Sequence, residues 1–362
     1  MSEYYFIFVW MAVIAYISMS MQVKERILVL GKLEWRWNIL MAIIVFLPII
    51  HLASMGTPIG DTSGYLDRYS LSEASWESIV QTIKQHESGF GFTVFQDTVK
   101  ILTGGSVDAY RVILAICQIL PIIFIFRKYS TSYMVSAYLF VASGCHIAWM
   151  MNGLRQFLAV AIVFAGTGFI IRKKLIPAIV LILIAATVHT SVLVMLPVVF
   201  IVQGKAWNRK TLLYIFVAVI AMFVFSRRVD LMDALLEGTE YEGTIETWQS
   251  LGDSGVHPIR VLVNAVPVIL AFYARGAISR KNDPVLNICV NMAIINVGIY
   301  LIAMVTSGIM IGRLPIYVTL YTYILLPYLV YSVDWGGYNM LLRGGLIVGY
   351  FLYYLLQYRA VA

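Results

Sequence analysis

The sequence predicts an all-α polytopic membrane protein, a single integral membrane domain over residues 1–362 with about 10–12 transmembrane helices. Three observations predict it. Hydrophobic residues make up 60% of the chain and charged residues 12%, about half the roughly 25% that a soluble domain carries. Apolar stretches of about 20 residues, the length that crosses a bilayer as a helix, recur along the chain. The basic residues fall in short runs between those stretches, as membrane orientation requires. At a mean hydropathy of +0.84, the chain has too little polar surface to cover a fold in water, so lipid must serve as part of its solvent.

The same features exclude other classes. A net charge of +7 does not point to nucleic acid, because the basic residues are spread over many loops instead of one patch. Cys117, Cys145 and Cys289 lie in apolar stretches with neither metal-ligand nor disulfide spacing, and read as small buried hydrophobes. Neither metal nor cofactor is expected. Residues 4–23 lack a basic start and an A-x-A-like cleavage site, so they read as a retained span, not a signal peptide.

The predicted spans are 4–23, 37–55, 109–126, 131–150, 152–171, 211–226, 258–275, 284–304, 312–331 and 342–358. The runs Lys24/Arg26/Lys32/Arg36, Arg127/Lys128, Arg172/Lys173/Lys174, Lys205/Arg209/Lys210 and Arg275/Arg280/Lys281, with Arg343, hold 16 of the 26 basic residues. Placing them in the cytoplasm leaves only Glu25, Glu34, Asp283 and Asp334 on that side among the 19 acids, and puts both chain ends outside. The stretch 175–203 is apolar, flanked by basic runs at both ends, and centred on His189-Thr190-Ser191 between Pro177 and Pro197. The expected form is a re-entrant pair of short helices with His189 near the outer tip; the alternative is one long tilted helix that reverses the sidedness of everything after it.

Two hydrophilic loops, 56–108 and 227–257, fall outside on this topology. In the first, residues 72–85 and 91–102 have amphipathic helical spacing, through Trp76, Ile79, Val80 and Ile83 and through Phe92, Phe95, Val99 and Leu102. Ser72, Glu73 and Ser75 mark a helix start, and such helices suit the membrane surface. The second loop is acidic, through Asp230, Asp233, Glu237, Glu240, Glu242, Glu246 and Asp253.

Ionisable groups at membrane depth are costly, so those near the span ends are the candidates for function. Asp61, in Gly60-Asp61-Thr62-Ser63-Gly64-Tyr65, reads either as an Asp/Gly turn or as a general base held near a substrate hydroxyl. Asn152-Gly153-Leu154-Arg155-Gln156 places a tight turn before a helix whose first turn holds Arg155. A helix N-terminus with a guanidinium suits a phosphate, whereas a snorkelling side chain is the plainer alternative. His189 is either a hydrogen-bonded structural residue or, at a helix break facing a cavity, a functional one. Gly312-Arg313-Leu314-Pro315-Ile316-Tyr317 opens a span, with Pro315 near the helix start. Arg111, Arg155, Arg260 and Arg313 all sit at outer span ends, where arginine is otherwise disfavoured. Several guanidiniums there suit an amphipathic ligand with a pyrophosphate head and a lipid tail; anchoring to lipid headgroups explains one or two of them more simply.

At these residues the chain resembles the EpsG-like branch of Wzy-type bacterial polysaccharide polymerases. The resemblance is carried, in order, by Gly60-Asp61 with Tyr65, Glu87-Ser88-Gly89-Phe90, Asn152-Gly153-Leu154-Arg155-Gln156 with Leu158-Ala159, His189-Thr190-Ser191, and Gly312-Arg313-Leu314-Pro315-Ile316-Tyr317. Family members usually have proline after the glutamate, where this chain has Ser88. The resemblance implies a GT-C-like bundle in the bacterial cytoplasmic membrane. It implies a glycosyltransferase that joins undecaprenyl-pyrophosphate-linked repeat units on the outer leaflet, for exopolysaccharide, capsule or O-antigen. Its donor and acceptor are lipid-linked glycans, and a flippase and a chain-length regulator of the same pathway are implied partners. Asp61 or His189 would be the base. Arg155 and Arg313, with Arg111, Arg260, Asn152, Gln156, Tyr65, Glu87 and Tyr317, would bind pyrophosphate or glycan. A lipid-linked glycan flippase and a sugar O-acyltransferase are the competing readings. The first is disfavoured by the lack of an internal repeat, the second by polar residues that cluster outside.

Overall fold

The computed structural model describes residues 2–21, 23–58, 60–227, 231, 234, 247, 250 and 252–361. Of the acidic residues in the second loop, Asp253 is among them; Asp230, Asp233, Glu237, Glu240, Glu242 and Glu246 lie outside the described residues. The protein is an all-α polytopic membrane protein. Among the described residues four helical stretches are long and apolar enough to cross a membrane: Val107–Tyr129, Pro284–Val305, Ile311–Tyr331 and Gly336–Gln357. Two bent pairs, Tyr133–Ala142 with Cys145–Asn152 and Pro258–Tyr273 with Arg275–Lys281, make six if each pair crosses once. The number is below 10–12 because several apolar segments are divided into pieces too short to cross alone. The predicted span 131–150 breaks at Gly144, whose φ of +70° is open to glycine, and turns there by 65°.

The chain forms two compact units, the first made of Met1–Phe169, Ile176–Leu193 and Val330–Ala362, the second of Ile170–Leu175 and Val194–Leu329. Nothing in the hydropathy pattern marks this division. The first unit opens with α1 (Ser2–Ser20), an antiparallel hairpin of β1 (Lys24–Val29) and β2 (Lys32–Trp37), and α2 (Ile39–Met55). The hairpin departs from the all-helical expectation. Leu30 and Gly31, at φ +48° and +85°, make a two-residue turn whose twist matches the strands.

Loop 56–108 folds into three helices: α3 (Thr62–Leu71), α4 (Trp76–Gln85) and α5 (Phe90–Thr103). The last two match the predicted amphipathic segments. α4 starts at Trp76, not at 72, because Ser75 and Ser78 cap it reciprocally: each backbone N–H donates to the other's Oγ at 3.0 Å. In residues 60–65 the expected Asp/Gly turn is present at Gly60-Asp61, and it leads directly into α3 at Thr62.

α6 (Val107–Tyr129) packs against α2 and against α9 (Leu154–Ala165), with α7 (Tyr133–Ala142) and α8 (Cys145–Asn152) alongside. The core is aromatic: Phe126 meets Phe140 at 6.5 Å and Phe164 at 5.9 Å, and Phe46 meets Phe140 at 5.8 Å. Polar side chains inside the unit bond to backbone carbonyls, Tyr133 Oη to Ala42 O at 2.7 Å and Gln118 Nε2 to Leu154 O at 3.1 Å, because an unsatisfied donor in this environment costs about 1–3 kcal/mol. After α10 (Thr167–Ile171) comes the stretch predicted as two short helices. It contains α11 (Leu175–Val188), a break at His189, a 3-10 turn Thr190–Val194 and α12 (Met195–Ile201).

The second unit continues with α13 (Arg209–Phe225), α14 (Pro258–Tyr273), α15 (Arg275–Lys281), α16 (Pro284–Val305) and α17 (Ile316–Tyr331); the last helix of the chain, α18 (Asn339–Val361), belongs to the first unit. Asparagines on α16 organise the second unit. Asn291 Nδ2 donates to Val202 O and Lys205 O, while its Oδ1 accepts from the Trp207 N–H. Farther along, Thr319 Oγ1 donates to Asn296 Oδ1 at 2.8 Å, and Asn296 Nδ2 donates to Asn264 Oδ1 at 2.9 Å. Three apolar helices are thereby joined through polar groups that satisfy one another.

The connector from α16 to α17, which carries Arg313, is clamped by Asp253. Oδ1 accepts from the N–H groups of Gly255 (3.1 Å) and Gly308 (2.9 Å); Oδ2 accepts from Ser307 Oγ (2.6 Å) and the Ile309 N–H (3.1 Å). Burial pushes the Asp253 pKa up, but the bonds from Ser307, Ile309, Gly308 and Gly255 outweigh it and hold the carboxyl below 3.8. A depressed folded pKa contributes stability above the unfolded value and loses it as pH falls through the folded one. In thermal unfolding of the detergent-solubilised protein, Asp253→Asn should be less stable than the parent at neutral pH, and the gap should close as pH drops below 3.8. A gap independent of pH would contradict the clamp.

Candidate functional site

Four of the five motifs meet around the N-terminus of α9, all within the first unit. Gly153 ends α8 and begins α9, so Asn152 and Arg155 flank a helix start. The first backbone N–H groups of a helix lack intrahelical partners and favour negative charge.

Arg155 is held by α3. Its Nε donates to Tyr65 Oη at 2.9 Å, and its guanidinium carbon lies 5.5 Å from the Tyr65 ring centroid. Phe92 of α5 packs edge-on to the same ring at 5.8 Å, and Arg68 approaches it at 6.0 Å. A hydrogen bond to Nε fixes the plane of the guanidinium, which lysine cannot reproduce.

Glycines let α5 reach the same place. Gly89 has φ +79°, and a Cβ there would sit 2.8 Å from Arg155 Nη1. At Gly91 a Cβ would sit 2.1 Å from Thr187 Oγ1 and 2.9 Å from the Thr187 carbonyl carbon. The Gly-Phe-Gly start of α5 therefore lies directly against the end of α11. Glu87 is exposed just before it, its carbonyl accepting from the Phe90 N–H at 3.0 Å.

Asn152 fixes the Asp61 turn. Its Oδ1 accepts from the Asp61 N–H at 3.0 Å, and a Cβ on Gly60, at φ +55°, would fall 2.2 Å from that oxygen. Thr62 Oγ1 donates to Met151 O. These bonds leave Asp61 exposed, and its carboxylate does not cap α3.

A polar chain runs from α9 to the helix break. Gln156 Nε2 donates to Ser191 Oγ at 3.3 Å, and Ser191 Oγ lies 2.8 Å from His189 Nδ1. The Ser191 N–H also points to Nδ1, at 3.4 Å. The Ser191 N–H pointing at Nδ1 fits an imidazole that carries its proton on Nε2.

Of the remaining predicted residues, Arg111 lies close by in the first unit and the others do not belong to that unit. Arg111 donates to Gly56 O, beyond the C-terminal end of α2, and lines a cavity of about 10 Å³ with Thr62 and Gln118, room for one water-sized group. Arg260 is in the first turn of α14, after Pro258. Arg313 ends a 3-10 turn, Ile311–Arg313, and Tyr317 is buried in the first turn of α17. These last three belong to the second unit. Sequence reasoning singled out neither Gly91 nor Thr187; the paired glycines in Gly89-Phe90-Gly91 were the available signal.

A sequence profile of the EpsG family matches residues 38–362. The chain belongs to the EpsG family. EpsG proteins are Wzy-type polysaccharide polymerase-like proteins, so the resemblance carried by the five motifs holds for the chain, and all five fall inside the match. No curated protein and no solved structure matches it. Membership fits the present EpsG protein as a multi-pass membrane protein with a polysaccharide polymerase-like function.

The glycine contact is testable. Gly91→Ala should destabilise the packing of α5 by about 1–3 kcal/mol, and amide exchange across Phe90–Thr103 should speed up. Unchanged protection in that helix would contradict the close approach to Thr187.

Proposed function

We propose that this EpsG-family protein is a glycosyltransferase that polymerises undecaprenyl-pyrophosphate-linked repeat units on the outer face of the bacterial cytoplasmic membrane. The observation that carries the reading is the convergence of Asp61, Tyr65, Arg155 and the Gln156–Ser191–His189 chain at one helix N-terminus. A hydroxyl of the acceptor sugar attacks the anomeric carbon of the donor glycan. The bond from that carbon to the lipid pyrophosphate breaks with its electron pair, and the hydroxyl proton passes to a base.

The leaving pyrophosphate needs positive charge where its own develops, and Arg155 beside the unpaired N–H groups of α9 supplies it. Between the two candidate bases the hydrogen bonds favour Asp61. Its carboxylate is an exposed acceptor, whereas His189 presents Nε2–H and suits donation to a sugar hydroxyl or a phosphate oxygen. Tyr65, Asn152 and Gln156 position these groups, and Glu87, two residues before Gly89, is proposed as a glycan contact. Arg111, occupied by Gly56 O, serves the fold of the site more directly than the substrate. Arg260, Arg313 and Tyr317 in the second unit are proposed separately as phosphate or glycan ligands. The flippase and chain-length regulator of the same pathway are the proposed partners.

The test is chain extension by the purified protein on lipid-linked repeat units, read by gel sizing. Asp61→Asn should slow extension by about 10²–10⁴-fold, the usual contribution of a general base. His189→Gln keeps an N–H donor and should cost much less. The reverse order, with Asp61→Asn near parental rates and His189→Gln inactive, would transfer the base to His189.

A further inference from the structure

The β1–β2 hairpin lies before residue 38, where the family match begins. Its two faces differ. One is docked on the C-terminal end of α6. Arg127 pairs with Glu25 and donates from Nε to Trp37 O, and Arg36 Nε donates to Lys128 O at 3.1 Å. The Asn38 amide reaches Glu25 Oε2 at 3.3 Å. Glu34 pairs with Arg36. Both acids of the hairpin are thereby neutralised by arginine.

The other face is open. Arg26 stands opposite Trp35 and Leu28 opposite Leu33 in the strand register. Leu28, Leu33 and Trp35 are 61%, 67% and 51% exposed, and the Arg26 guanidinium stacks over the Trp35 ring at 5.0 Å. Lys24, opposite Trp37, lies exposed on this face at the start of β1, whereas Lys32, opposite Val29, is exposed beside the turn in the register of the docked face.

We propose that this face is a membrane-interface anchor that binds the anionic phospholipid headgroups of the adjacent leaflet. Three features point to lipid. The hairpin is closely tethered on both sides: α1 ends at Ser20, four positions before β1, and Asn38 both caps α2 and donates its N–H to Val23 O at 2.6 Å. A six-residue strand spans only about 20 Å, so the face stays near the ends of two apolar helices. Its make-up, tryptophan and leucine ringed by arginine and lysine, is that of interfacial segments. Lysine is depleted from protein–protein interfaces but adds attraction to an anionic leaflet. Docking of the inner face by Glu25 and Arg36 holds the outer one rigid, so little ordering is needed on contact.

The experiment uses the full chain with its native cysteines replaced by alanine and Leu33→Cys carrying an environment-sensitive fluorophore. It is reconstituted in phosphatidylcholine bilayers with or without phosphatidylglycerol. Brominated phosphatidylglycerol should quench most of the emission, aqueous iodide little. Raised salt should reverse the part that depends on phosphatidylglycerol, and so should Lys24→Gln with Arg26→Gln. The salt arm leaves the protein unchanged, so it tests the charge contribution even if the double variant folds poorly. Free quenching by iodide would overturn the proposal, as would quenching by neither agent, which would mean that protein covers the face. Lipid quenching indifferent to both phosphatidylglycerol and salt would overturn the anionic preference.

Discussion

The hydrogen bond from Arg155 to the Tyr65 hydroxyl is the contact on which the site depends. A guanidinium at the start of a helix would ordinarily extend towards water or a headgroup. Here its Nε is tied to a tyrosine on α3, and that tyrosine is itself held by Phe92 on α5. One cation thus joins loop 56–108 to the membrane helices. The loop is tied to the neighbouring helices also by Asn152 Oδ1 to the Asp61 N–H, by Thr62 to Met151 O and by Gly91 against Thr187.

The glycines show what that arrangement requires sterically. Side chains at positions 60, 89 and 91 would run into Asn152, Arg155 and Thr187. At Gly91 the neighbour includes the Thr187 backbone, whereas at positions 60 and 89 it is the ends of the Asn152 and Arg155 side chains. The second unit is built differently, with intramembrane asparagines between helices and the Asp253 clamp over the α16–α17 connector. In both units many polar groups within apolar surroundings are bonded, as burial demands, although among the described residues Gln203 Oε1 and Trp207 Nε1 are buried without a hydrogen bond.

Much of the fold was legible from composition and periodicity. The apolar segments are helical, and the amphipathic spacing in 72–85 and 91–102 marks α4 and α5. The helix break at His189 and the helix start before Arg155 follow from the residues themselves. What was not legible is local or long-range. The 24–37 hairpin hides beneath a basic run that reads as a membrane-orienting signal, although Leu30-Gly31 and the alternation around Trp35 and Trp37 describe strands. The bend at Gly144 depends on a positive φ that an apolar run does not announce. α3 was masked by the Gly-Asp-Thr-Ser-Gly sequence, which has turn composition. At the site, the motifs could be named in order but not assembled. The choice proposed between Asp61 and His189 rests on which nitrogen of the imidazole keeps its proton, and the side chains that bear on that, Ser191 and Gln156, lie 35 positions apart.

The most direct test is a double-mutant cycle on chain extension with Arg155→Lys, Tyr65→Phe and the pair. If the tyrosine acts by orienting the guanidinium, the double variant should be no slower than Arg155→Lys alone, because the second change removes a bond already lost. Losses that multiply in full would show two independent roles, and would contradict a site built around that bond.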